Sequence, residues 1–128
     1  MKAFKKTINS KEIYLKYISI LNGLLQLSGK ELEVLSLLLE IEMTKAPILG
    51  KKQDLLSTDN RRALMEKTGI NKNNLSKYIS ILKDKRIILK DNNGHYINAI
   101  YIPDIIEGKS EMLFILNIEE NDKILENK

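Results

Sequence analysis

Apolar residues recur at helical steps in four stretches of this chain and then give way to two short strand-like runs. From about Lys11 to Leu27 the positions Ile13, Leu15, Tyr17, Ile18, Leu21, Leu24 and Leu25 fall mostly at three- and four-residue steps, which predicts a helix in spite of Gly23. Ser28-Gly29-Lys30-Glu31 reads as a capping box, with the serine hydroxyl accepting the Glu31 amide while the carboxylate reaches back. The helix it opens, Gly29 to about Met43, carries Leu32, Val34, Leu35, Leu38 and Leu39 over more than one face and so belongs at the centre of a core. Pro47 and Gly50 make Thr44 to Gln53 a loop, with a short strand expected near Leu55-Leu56. Ser57 or Thr58 caps a third helix, Asp59 sits well against its dipole, and Gly69 ends it. A fourth helix is predicted from Lys72 to Lys85. Its Leu75, Ile79 and Leu82 form one inward stripe, leaving Lys72, Asn73, Ser76, Lys77, Ser80 and Lys83 outward.

Ile87 to Lys90 and His95 to Ile102 read as two strands joined through Asp91-Asn92-Asn93-Gly94, where Asn93-Gly94 suits a type I′ turn. Beyond Pro103 a turn-rich segment leads to Glu111-Met112-Leu113-Phe114-Ile115-Leu116-Asn117-Ile118. That run is apolar without alternation, so a C-terminal strand covered on both faces or paired outside the domain is expected. The implied organisation is an N-terminal arm and helix (1–27), a central domain (28–103), a turn and strand (104–118) and a flexible acidic tail (119–128).

The chain has 128 residues, enough to bury a core without staples, and no cysteine, which excludes disulfide frameworks and thiolate metal sites. His95 is the one histidine, so paired-histidine and most hydrolytic triad schemes fall away. No metal or cofactor is expected, nor any enzyme activity: no phosphate-cradling glycine loop is present, and Glu31/Glu33 and Glu119/Glu120 read as a cap and a tail run. No apolar run of a membrane span occurs, and the opening stretch lacks the continuous apolar core of a leader. A cytoplasmic place in a bacterium or bacterial host follows as the expectation. Charge sharpens the picture: net charge is +2 over residues 1–50, +6 over 51–103 and −4 over 104–128. AT-rich coding would enrich lysine everywhere, whereas this excess gathers on the third and fourth helices and the hairpin, as phosphate neutralisation requires.

At these residues the chain resembles a known superfamily. Ser76-Lys77-Tyr78-Ile79-Ser80-Ile81-Leu82-Lys83-Asp84-Lys85-Arg86-Ile87-Ile88 is similar to the recognition helix and first wing strand of winged helix-turn-helix regulators, and Leu64, Gly69-Ile70 and Leu75 fit the partner helix and turn. With Asn60-Arg61 ahead of the motif, the set also resembles small winged-helix proteins of phages and plasmid replication initiators. The resemblance spans about residues 28–103. It implies an α+β, mainly α fold, with a three-helix core and a β-hairpin wing, to which the N-terminal helix and C-terminal strand are additions. Two departures stand out. Arg86 replaces the usual glycine, so either a non-glycine residue adopts the strained left-handed turn or the helix runs on, and Ile81 is apolar where a charge is normal.

The expected function is therefore sequence-specific binding of double-stranded DNA, as a phage- or plasmid-type transcriptional regulator or replication accessory. Asn73 and Asn74 lie in the helical turn that reaches base edges, and an asparagine amide pairs with adenine N6 and N7. Ser76 and Lys77 lie beside them. Lys72, Arg61, Arg62, Lys83 and Lys85 are candidates for phosphate contacts, which fix register without reading sequence. Lys90, Asn92, Asn93 and His95 bring the hairpin tip toward a minor groove, although His95 without a second ligand reads first as a turn-flanking surface residue. Tyr14, Tyr17 and Tyr78 read as core and rim packing. A homodimer would use residues 11–27 and 112–118. The alternative is a winged-helix adaptor that binds a polymerase, replication protein or virion component, with the apolar strand 112–118 as the docking edge.

Overall fold

The computed structural model describes residues 13–44 and 54–103, which form a mainly helical α+β arrangement of four helices and one antiparallel hairpin. The helices are α1 (Ile13–Leu25), α2 (Gly29–Thr44), α3 (Thr58–Thr68) and α4 (Lys72–Asp84). The strands are β1 (Ile88–Asp91) and β2 (Gly94–Ile97), followed by a 3-10 turn at Ala99–Tyr101. The N-terminal arm, the Pro47/Gly50 loop, the 112–118 strand and the acidic tail expected from sequence lie outside the described residues.

Helix α2 occupies the centre because it is apolar on several sides. Val34, Leu35, Leu38 and Leu39 are fully buried, and α2 touches α1, α3, α4 and β2. Burial of each such side chain stabilises the fold by about 1.5–3 kcal/mol. The capping box that starts α2 forms: Ser28 Oγ accepts the Glu31 amide at 3.3 Å, and Glu31 Oε2 accepts from the Ser28 hydroxyl at 2.7 Å. Tyr17, Ile18, Leu21 and Leu25 of α1 add the next layer, and Gly23 lies in open space without interrupting the helix. Asn22 holds the turn from α1 to α2 through both backbone groups of Leu27, at 2.7 and 3.1 Å.

The α3–α4 connection is short because each end has its own cap. Gly69 takes φ 71° and closes α3 on the Met65 carbonyl; Asn71 then opens α4 by accepting the Asn74 amide at 2.8 Å. Leu64, Ile70, Leu75, Ile79 and Leu82 are buried along this pair, as the inward stripe of α4 predicts, and Ile81 is half-buried against the core.

Helix α4 ends in a left-handed residue after all, and it is Arg86, at φ 58°. The Arg86 amide bonds the Lys83 carbonyl and the Ile87 amide bonds the Leu82 carbonyl, each at 3.0 Å. This is the Schellman pattern, and the flanking Leu82 and Ile87 are both buried in the same core cluster. Of the two options that replacing glycine leaves open, the chain takes the strained one.

The hairpin pairs Ile88 with Ile97, Leu89 with Tyr96, Lys90 with His95 and Asp91 with Gly94. Its loop is therefore Asn92-Asn93, and the I′ turn expected at Asn93-Gly94 does not form. Neither asparagine has positive φ; Gly94 does, at 112°. Asp91 Oδ1 accepts the Asn93 amide at 2.8 Å, an aspartate turn that supplies the reversal without left-handed asparagines. The second strand also stops at Ile97, short of the expected Ile102. Asn98 caps the 3-10 turn by accepting the Ile100 amide at 3.3 Å, and its Nδ2 donates to the Arg86 carbonyl at 3.1 Å. Leu55-Leu56 forms a turn, not a strand, tied to β2 by the Leu55 amide on the His95 carbonyl at 3.0 Å.

Candidate nucleic-acid interface

Helix α4 turns one face to the core and another to solvent, with Tyr78 and Ile81 half-buried between them. With Leu75, Ile79 and Leu82 facing inward, Lys72, Asn73, Asn74, Ser76, Lys77, Ser80 and Lys83 are all exposed. Asn73 and Asn74 stand in the first turn, Ser76 and Lys77 in the next, and Lys83 at the far end. The Asn74 backbone amide is capped by Asn71, which fixes the start of this face relative to the preceding turn.

The hairpin lies beside the C-terminal end of α4, with β1 packed on it. Between them runs an open groove of about 370 Å³. Ile88 and Leu89 contribute its apolar part, Lys83, Arg86 and Lys90 its cations, and Asp84 its one acid. The structure thus brings together Lys83, expected at a phosphate, and Lys90, expected at the wing tip, and adds Arg86, which the sequence marked only as a helix-end anomaly. Asn92 and Asn93 are exposed at the hairpin tip, beyond Lys90.

Other expected contacts have structural work. The Nε of half-buried Arg61 donates to the Leu56 carbonyl at 3.0 Å. Exposed Arg62 lies 3.7 Å from Asp59 on the same helix, an exposed pair of the weak surface kind that leaves it open to other anions. Lys85, expected to meet phosphate, instead directs its ammonium to the Leu25 and Gln26 carbonyls at 2.8 and 2.9 Å. These are end-of-helix acceptors of α1, and a cation there satisfies both their lone pairs and the helix dipole.

His95 is also withdrawn from the expected groove-facing tip. Its backbone amide donates to Asp54 Oδ1 at 3.0 Å, and its Nδ1 lies 3.0 Å from the same oxygen. That oxygen accepts the Leu56 amide as well, at 2.9 Å. Burial opposes ionisation of Asp54, but the hydrogen bonds from His95 and Leu56 and the nearby imidazole outweigh it and hold the carboxyl below the ordinary aspartate range. Sequence reading missed this junction because Asp54 and His95 are 41 positions apart. Tyr17, expected as packing, is buried, and its hydroxyl donates to the Tyr101 carbonyl at 2.8 Å; Tyr14 and Tyr78 pack half-buried on the core.

Among the described residues no helix is long and apolar enough to cross a membrane, and no group of three or more acidic, histidine or cysteine residues could hold a metal ion. Compared with protein-family models, curated proteins and solved structures, the chain matches none.

Proposed function

We propose that this chain is a winged-helix protein that binds double-stranded DNA, with α4 in the major groove and the hairpin as a wing at the neighbouring minor groove. In this reading α2, α3 and α4 are the three-helix core and α1 is an addition to it. The observation that carries the proposal is the outer face of α4. Its asparagines, serines and lysines are exposed, while comparable polar residues nearby are tied into the fold. Asparagines in the first turn suit adenine edges, and lysines further along suit guanine or phosphate. The net +6 of residues 51–103 supports the same partner.

The test is a titration of the whole chain against AT-rich duplex at several salt concentrations. The log-log slope is expected to be steeper than about −3, since each phosphate contact contributes about −0.9. Replacing Asn73, Asn74 and Lys77 together by alanine should cut affinity at least tenfold while leaving the Tm within about 2 °C, because none of the three is buried. A flat salt response in the unaltered chain sinks the proposal.

A protein-binding adaptor is the reading that would then stand. One observation favours it: Ile20 and Leu24, one turn apart on α1, are 43% and 77% exposed, an apolar pair of the kind that meets a partner surface.

A further inference from the structure

Arg86 occupies a left-handed backbone position, which among the described non-glycine residues it shares with Gln26 at the end of α1. Its φ of 58° lies in the left-handed region, where a Cβ crowds the following carbonyl and glycine alone escapes the cost. Nothing in the Schellman turn calls for an arginine: the bonds that close it use backbone amides and carbonyls, and the buried flanking residues are Leu82 and Ile87. The turn is moreover held from outside, because Asn98 Nδ2 donates to the Arg86 carbonyl at 3.1 Å. A strained residue kept in place by its surroundings invites a functional explanation.

The side chain suggests what that explanation is. Arg86 is exposed and lines the groove between α4 and the hairpin, where Lys83 approaches from the helix and Lys90 from β1. Asp84, at the same groove, offsets part of the three positive charges and leaves a cationic excess. His95 also borders the groove, but its Nδ1 is turned to Asp54. The left-handed turn sets Arg86 at the corner between the two elements, so that basic residues from three backbone segments line one concavity. A guanidinium presents a planar fork of donors that matches phosphate oxygens, unlike an ammonium.

We infer that Arg86, with Lys83 and Lys90, forms a phosphate-binding clamp in the α4–hairpin groove, and that the arginine is held in a strained turn to complete it. The inference rests on the DNA reading above and names a contact within it. The phosphate is one of the duplex backbone, gripped where the chain passes from the helix to the hairpin.

The experiment uses Arg86→Gly in the full chain, because a purely structural residue and a ligand-binding one respond in opposite directions. Glycine relieves the left-handed strain, so the Tm should stay level or rise by about 3 °C. Affinity for duplex DNA should nevertheless fall about fivefold at low salt, and the magnitude of the log-log salt slope should drop by about 0.9. Arg86→Lys should keep the slope and lose part of the affinity. Lys30→Ala removes the same charge from the first turn of α2 and should change the slope little. The clamp is refuted if Arg86→Gly binds with the slope and affinity of Lys30→Ala. If the unaltered chain shows no salt-dependent binding, the DNA reading falls and the clamp with it; normal binding with an unchanged Arg86→Gly slope removes the clamp alone.

Discussion

Two polar regions of this molecule, each with asparagine among its members, behave in opposite ways. One is the outer face of α4, with Asn73, Asn74, Ser76, Lys77 and Lys83; the other is the junction of Asp54, Asn60, Gly94 and His95 that fastens the start of α3 to the hairpin. At the junction each polar side chain has a partner within the chain. Buried Asn60 donates from Nδ2 to the Leu55 carbonyl at 3.0 Å and to the Asp54 carbonyl at 3.5 Å, and Asp54 Oδ1 gathers the Leu56 and His95 amides. On α4 the side chains point to solvent. The difference teaches that an asparagine or a lysine is informative about function only after its structural obligations are subtracted. Lys85 makes the same point within one helix: it belongs to α4's cations by sequence and to α1's carboxyl end by its bonds.

The contrast can be broken by asking which region tolerates substitution. The largest loss is expected from Gly94→Ala. A side chain at φ 112° is strained, and its Cβ would stand 2.6 Å from Asp54 Cγ and 2.7 Å from Asp54 Cβ. We expect a loss of about 3 kcal/mol, read as a lower urea midpoint at constant m-value. Asn60→Ala should follow at about 2 kcal/mol, because it leaves the buried Leu55 carbonyl without its donor. The α4 face should respond to alanine by less than about 0.5 kcal/mol. If a junction variant proves as silent as the α4 variants, the division between structural and available polar groups is wrong.

Much of the fold was legible in the sequence because local physics decides it. The capping box at Ser28, the cap expected at Ser57 or Thr58 and found at Ser57, the glycine end at Gly69 and the inward stripe of α4 each depend on residues within a few positions of one another, and each forms. The errors lie where a competing side-chain bond or a distant residue decides. Asn93-Gly94 favours a I′ turn locally, but Asp54 packs against Gly94, and the Asp91 carboxylate finds the Asn93 amide. Asn98 breaks the second strand because its side chain has two nearby uses, at Ile100 and at Arg86. The candidate interface was read in outline. Its helix face was visible from periodicity; its groove was not, since that needs Lys83, Arg86 and Lys90 brought together from the helix end, the turn and the strand.

The smallest effect concerns pH, and it tests whether the junction is electrostatic as well as geometric. Burial resists charge on Asp54, yet donation from His95 and Leu56 prevails, so its folded pKa lies below its unfolded value of about 3.9. A group shifted in this direction stabilises the fold fully above its unfolded pKa, and that contribution is lost as the pH falls through the folded pKa. Acidification from pH 6 toward pH 3 should therefore erode the link between the start of α3 and the hairpin. Asp54→Asn keeps an acceptor oxygen but cannot ionise. It should be less stable than the unaltered chain at pH 6, and the gap in urea midpoint should narrow as the pH drops below about 4. The side chain of Asp54 is 38% exposed, so solvent screens the effect and the narrowing should be modest beside the loss at Gly94. A gap that is constant across this range would mean that Asp54 acts through shape and hydrogen-bond count alone, and the junction would then differ from the α4 face only in how its groups are packed.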